Sequence, residues 1–481
     1  TTLGTVGADP ALVTIHGGTT QVAGNFYIGL NTRQVAYISD GTVSVAGNLV
    51  VGRTSYSDLY VSGGTVTARS LRHEEVGDTA RVFLSGGVVT VDEVVNETAG
   101  ETLSKFEVNL DAGGTLVTDR IYLNRTGGAS GTHTLDLRFD GGTLRPKSDP
   151  SSAPVINLID DFVIAPGAGF TELKCQATIE DGGAFIDIPG PQNARVLRPV
   201  VHDTDLDATP DGGLTKQGAG TLTLNHPGNT YTGETDIVAG TLALAAASVN
   251  NIPASTLITV RAGAVLDVLG LNGNTIALAN GQTLQGHGRV EGQVTARLGS
   301  TVSPGIIPEP SGTNPGRLTT DGAAFQTDSN FVVDIEGRVA GSEHDQLRVN
   351  GPVTILAGAM LQTPGTFLPS EGDEIVIIDN DGTDAVILGT EDRGFNNLRE
   401  GGVYDSNFRG TGLRAVISYV GGDGNDVVLR FPSSGFRFDF NGFHGYTAPN
   451  YVPVAPELVK TPSNNYGWDA PMESFERPED Y

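Results

Sequence analysis

Cysteine is almost absent from this chain of 481 residues: Cys175 stands alone. A lone cysteine excludes an intramolecular disulfide framework and any cysteine-based metal cluster. Its neighbours in Leu173-Lys174-Cys175-Gln176-Ala177 alternate in polarity, which predicts a small buried hydrophobe rather than a reactive thiol. Basic residues are scarce: 29 Lys and Arg stand against 56 Asp and Glu, a formal charge of −27. With no basic surface to displace counterions from phosphate, nucleic acid is excluded as a partner. An acidic exterior suits a secreted protein kept soluble by its charge, with cation binding the second reading. No apolar run is long enough to span a membrane, and no stretch has the 3.6-residue pattern of an amphipathic helix. The chain begins at Thr1 rather than Met, as it would after removal of a targeting segment or at an arbitrary boundary.

What is abundant is glycine, 66 residues, in a chain only 38% hydrophobic. That balance suits many thin coils with a turn in each. The segments His16-Gly17-Gly18-Thr19, Ser39-Asp40-Gly41-Thr42, Ser62-Gly63-Gly64-Thr65, Ser85-Gly86-Gly87-Val88, Ala112-Gly113-Gly114-Thr115 and Asp140-Gly141-Gly142-Thr143 each open an alternating run. Their second glycines fall at 18, 41, 64, 87, 114 and 142, so the first three intervals are all 23 residues. The glycines supply corners of positive φ, and the residues beyond alternate between core and water. In Thr65-Val66-Thr67-Ala68-Arg69-Ser70-Leu71 the apolar members are expected inside and Thr, Arg and Ser outside. One coil cannot bury its apolar face, whereas stacked coils can. The fold class is therefore all-β, a parallel β-solenoid; at a constant 23 residues per coil, about 430 residues would wind about 19 coils.

Residues 147–210 are less regular but keep strand-like runs at Val155–Ile159, Phe162–Ile164 and Ala184–Ile188, and read as continued coils. The segment 211–244, DGGLTKQGAGTLTLNHPGNTYTGETDIVAGTLAL, holds short Thr/Leu runs with equivalent glycines at 220 and 240. It resembles the autotransporter-associated β-strand repeat in Gly213 to Lys216, Gly218, Gly220 to Leu222, Leu224, Asn229 to Tyr231, Gly233, Thr235 and Ala239 to Leu242. The segments Ser303-Pro304-Gly305, Pro315 to Thr319, Asp345 to Gly351 and Tyr419 to Leu429 look like the later coils and the ending of such proteins. The resemblance covers about 200–430 well and 1–199 loosely, and implies a right-handed parallel β-helix, secreted from a bacterium or displayed on its surface. Nothing after Phe431 resembles a membrane barrel. A cleaved barrel would explain that, as would membership among large surface proteins that share the repeat without that secretion route; the tail favours the second.

Residues 432–481 change character, holding ten of the chain's 31 aromatic residues and seven prolines. A disordered linker is poor in aromatics, so this extended C-terminal arm is expected to dock on a surface. Phe436, Phe438 and Phe440 alternate along one strand face, and Phe443, Tyr446, Tyr451 and Trp468 follow among the prolines. The strand could cap its own last coil or add to a neighbouring copy. The domain reading is thus 1–146, 23-residue coils; 147–431, continued solenoid including 211–244; 432–481, the arm.

Two turns offer oxygen ligands for calcium. Gly421 to Leu429 fits the nonapeptide GGxGxDxUx, which would use Asp423, Asn425 and Asp426, although such sites lie between successive copies and one copy is present. The turn Asp379 to Asp384 offers Asp379, Asp381 and Asp384. Asp203, Asp205 and Asp207 mimic a calcium loop but place Ala208 and Leu214 where Gly and Glu are required. No catalytic residue and no cofactor other than calcium is assigned: the adjacent pairs Asp160-Asp161 and Glu180-Asp181 would point to opposite strand faces, and the eight histidines are scattered. The sequons at Asn96 and Asn124 are read as chance triplets. The leading expectation is an extracellular structural protein that polymerises head to tail with copies of itself or joins other surface components. The alternatives are a carbohydrate-binding or carbohydrate-cleaving β-helix, marked by aromatics and carboxylates stacked along one face, and a monomeric adhesin.

Overall fold

The computed structural model describes residues 11–30, 32–53, 55–74, 78–98, 103–125, 131–147, 155–164, 172–306 and 315–432. Strands dominate, joined by five short 3-10 turns, and no α-helix occurs among the described residues. Two units are distinguished: one comprises Thr1–Gly365, Val376–Asn397 and Tyr419–Val427, the other Thr366–Ile375, Leu398–Ser418 and Val428–Tyr481.

The first unit is a parallel β-solenoid of two sheets. In the first sheet Ala11–Val22, Gln34–Val45, Ser57–Thr67 and Asp78–Thr90 pair in succession. Ala11 lies beside Gln34, Gln34 beside Ser57 and Ser57 beside Ala80, each step being 23 residues. The second sheet stacks Phe26–Ile28, Asn48–Val51, Ser70–Glu74, Glu93–Thr98 and Arg120–Arg125 in the same way. Alternation sends one residue in two inward, so like residues form columns: Ala36, Leu59, Val82, Val108, Leu137 and Ala177 are in register, and all are buried. The glycine corners stack as well, with Gly41, Gly64 and Gly87 at positive φ. A Cβ on Gly64 would lie 2.4 Å from the Gly41 carbonyl oxygen.

Coils do not keep the 23-residue length. The step grows to 29 between Phe106 and Leu135 and to 40 between Leu135 and Cys175, and shrinks to 18 between Thr283 and Thr301. Parallel pairing persists across these changes of step, so the chain winds fewer coils than constant spacing implies. Further along, Ile156–Ile159 pairs with Asn193–Val196, and Glu172–Ile179 with Thr132–Asp140. The alternation expected at 65–71 slips at one place. Val66 and Leu71 are buried as expected, but Ser70 is buried too, because the corner at Ala68 and Arg69 resets the phase between two strands. Ser70 keeps a polar partner there, its Oγ accepting from Arg72 Nε at 3.0 Å.

In the second unit Val403 and Val416 sit in an antiparallel pair. The Phe431 N–H donates to the Asp373 carbonyl at 2.9 Å, the Gly372 N–H donates to Phe431 O at 2.8 Å, and the Phe431 ring rests 5.0 Å from that of Phe408.

Candidate functional site

The segment 211–244 makes two coils, with Leu214–Gln217 beside Thr235–Ile237 in one sheet and Thr221–Leu224 beside Thr241–Ala245 in the other. Inward phase puts Leu214, Leu222, Leu224, Ile237, Leu242 and Leu244 in the core, and the same phase drives Lys216 inside. Its Nζ donates to the carbonyl oxygens of Gln217 at 2.9 Å, Gly218 at 2.8 Å and Ala239 at 2.9 Å. The ammonium thus ties the corner of one coil to the next, and burial pushes its pKa down to about 8.

The other polar residues of this motif also turn inward and bond across coils. Asn229 takes the Val200 N–H on Oδ1 at 2.9 Å and donates from Nδ2 to the carbonyls of His226 at 2.8 Å and Asn251 at 3.0 Å. The Tyr231 hydroxyl meets Thr235 Oγ1 at 2.7 Å, which meets Ser255 Oγ at 2.8 Å; burial raises the Tyr231 pKa. Asp211 accepts the N–H groups of Gly213 at 3.0 Å, Gly233 at 2.9 Å and Thr232 at 2.8 Å. These bonds satisfy backbone that would otherwise be orphaned at the corners. Asp211 also bonds His202 Nδ1 at 2.9 Å, and that bond lifts the His202 pKa above its ordinary value. Thr232 Oγ1 approaches the same ring nitrogen at 3.2 Å, so the ring cannot pass a proton from hydroxyl to carboxylate as a relay requires.

The stretch 214–244 matches the family model described as passenger-associated-transport-repeat. The chain carries an autotransporter passenger-associated repeat within its β-solenoid. The repeat is that of secreted or surface proteins, and no curated protein matches the chain. Within the matched repeat Lys216, Asn229 and Tyr231 all bond inside the stack, at the corners and between neighbouring coils.

The two turns singled out for calcium lie against each other. The Asn380 N–H donates to Asp426 Oδ1 at 2.9 Å, and Asn380 Nδ2 donates to the Asp384 carbonyl at 2.9 Å. Asn425 Nδ2 reaches the carbonyls of Gly382 at 2.9 Å and Asp384 at 3.1 Å. Asp379 and Asp381 face Arg348, the latter at 2.8 Å, and Asp423 is exposed. Burial raises the Asp426 pKa, with the charges of Asp379 and Asp423 adding to it. Amide groups therefore stand at the carbonyl oxygens, and among the described residues no group of three or more His, Cys, Asp or Glu is placed to hold a metal ion.

The paired carboxylates point apart. Asp160 meets Arg120 at 2.6 Å and Asp161 meets Arg198 at 2.6 Å. Glu180 joins Asp136 and Asp203 around Arg138, while Asp181 is exposed. Asp203 also caps the short turn Thr204–Leu206, a structural task for the motif that failed as a calcium loop. Asn96 is wholly buried, its amide bonded to the Thr134 carbonyl at 2.7 Å, so the folded chain withholds that sequon. Among the described residues no helix is long and apolar enough to cross a membrane. The assembly candidates Phe436, Phe438, Phe440, Phe443, Tyr446, Tyr451 and Trp468 lie outside the described residues.

One surface feature was not anticipated. Tyr37, Tyr60 and Phe83 stack on the outer face of the first sheet, with ring centroids 4.9 and 4.7 Å apart and planes inclined by 12° and 7°. Their numbers differ by 23 at each step, so the repeat itself held the signal. A low overall aromatic content hid it.

Proposed function

We propose that this protein is an extracellular structural component of the bacterial surface that assembles head to tail, the arm at 432–481 of one copy docking on another. The observation that supports the reading most is the concentration of ten aromatic residues in those fifty, attached to a passenger-like solenoid. A stack of coils gains nothing from such a segment unless it covers a surface, and a head-to-tail contact that does not close on itself propagates into a filament. Replacing Phe436, Phe438 and Phe440 by Ser in the full chain should abolish filaments seen by electron microscopy and leave the far-ultraviolet circular dichroism unchanged. Equal assembly by wild type and variant would refute the proposal.

We also propose calcium at the paired turns around Asp379, Asp381, Asp384, Asp423, Asn425 and Asp426, where ion binding would require the two amides to turn their oxygens inward. Calorimetric titration of chelator-treated protein tests it; absence of heat dismisses both turns.

A further inference from the structure

The first coils carry an outward apolar patch with a cationic rim. Leu12 and Val35 are neighbours in register, and beside them run Tyr37, Tyr60 and Phe83. Leu12 is 62% exposed and Tyr37 is 41% exposed. Arg33 lies 4.7 Å from the Tyr56 ring centre, and Arg81 lies 5.1 Å from the same centre and 5.5 Å from that of Phe83. Both guanidinium groups share the single buried carboxylate of Asp58, at 3.4 and 3.0 Å. Glu107, next in register to Arg81, is paired with Lys105 at 3.3 Å. Among the described ion pairs, the rim thus sets two arginines against one shared carboxylate, in a chain whose formal charge is −27.

The geometry of the rings selects a ligand class. Stacking closes the faces between the three rings, so the middle ring, Tyr60, meets solvent at its edge, and a ring edge is the positive part of the aromatic quadrupole. Edges accept carboxylates, or other rings in edge-to-face contact, whereas a sugar stacks on a ring face. The rim arginines favour anionic partners by the same sign. An acidic peptide that also carries aromatic rings matches both features.

This chain contains such a segment outside the described residues. Residues 468–481 hold Trp468, Phe475 and Tyr481 among five acidic residues and one basic one. We propose that the ladder Tyr37, Tyr60 and Phe83, with its Arg33 and Arg81 rim, is the surface on which residues 468–481 of a second copy dock. The assignment rests on the assembly reading above and names its receiving surface.

Trp468 is the chain's only tryptophan, so its fluorescence reports on this segment alone in the intact protein. In the wild type its emission should move to shorter wavelength and lose accessibility to acrylamide as concentration rises, in step with sedimenting mass. The full-length Tyr37→Ser/Tyr60→Ser variant should lose both changes. Arg33→Glu, which leaves the rings in place and alters an exposed side chain, should shift the midpoint to higher concentration, guarding against a folding defect in the double variant. If both variants assemble and shift like the wild type, the ladder is not the dock, while assembly through the arm stands. A wild-type blue shift that is already complete at the lowest concentration means docking within one copy and overturns the proposal. Sedimentation without any Trp468 change excludes 468–481 as the docking piece, and no sedimentation at all overturns the assembly reading with it.

Discussion

Single residues show how inward phase dominates side-chain preference in this fold. Cys175 sits in the core, and burial pushes its pKa up to about 12. A thiol so held is protonated at neutral pH and shielded, so it should resist a chromogenic disulfide reagent at pH 8 and react at once in denaturant. Fast reaction of the folded protein would contradict this. Lys216 is the opposite case, a charge kept inside by three carbonyl oxygens. Its pKa falls from 10.5 to about 8, so the folded chain holds that proton less tightly than the unfolded chain. Between those values the unfolded state binds more protons, and stability contributed by this site rises with pH. Comparing denaturation midpoints of wild type and Lys216→Met from pH 7.5 to 10.5 cancels the other titrations. The wild type should gain on the variant as pH increases, and parallel curves would show that Lys216 is not depressed.

At the scale of elements, the stacked glycines let successive coils approach closely at one corner. Gly64 has φ of 74° and would place a Cβ 2.4 Å from the Gly41 oxygen. Gly18 has φ of 72° but has nothing within 4 Å of such an atom. Gly18→Ala should thus cost about 1 kcal/mol for the left-handed backbone alone, whereas Gly64→Ala adds a clash with backbone and should cost on the order of 3 kcal/mol. Urea unfolding of the two variants measures the difference; equal losses would mean that coil contact at the corner is unimportant. These corners were legible in the sequence because glycine is the residue that fits them, and Thr42, Thr65, Val88, Thr115 and Thr143 do fall in register behind them. The coil lengths beyond were not legible, since the same parallel pairing forms at steps of 23, 29, 40 and 18 residues. Nor were the buried polar groups. Alternation from Leu214 places Lys216 inside, but its charge argues for water, and only the three carbonyls around it reveal why phase wins. The ladder Tyr37, Tyr60 and Phe83 was readable by adding 23, whereas the meeting of the turns at 379–384 and 421–426 depends on pairings far apart in sequence.

For the whole molecule, the strongest opposing force to the proposed assembly is its own charge. Each copy carries −27, and the many arginines pair locally with carboxylates, as Arg261 does with Asp236 at 2.8 Å and Arg289 with Asp321 at 2.7 Å. Such exposed pairs contribute little each, about 0 to 1 kcal/mol, so the excess charge remains to repel neighbouring copies. The screening length is about 30 Å at 0.01 M salt and about 8 Å at 0.15 M. Copies that approach for docking therefore feel much of each other's charge at the lower salt and little at the higher. The pull of the two rim arginines is weakened by the same screening, but they sit in a chain of net charge −27. Repulsion should win at low salt, and the sedimenting fraction at fixed protein concentration should increase as sodium chloride is raised from about 0.01 to 0.15 M. A decrease over that range would mean that local ion pairs rather than net charge govern association, and would place the arginine rim, not the aromatic rings, at the centre of the contact.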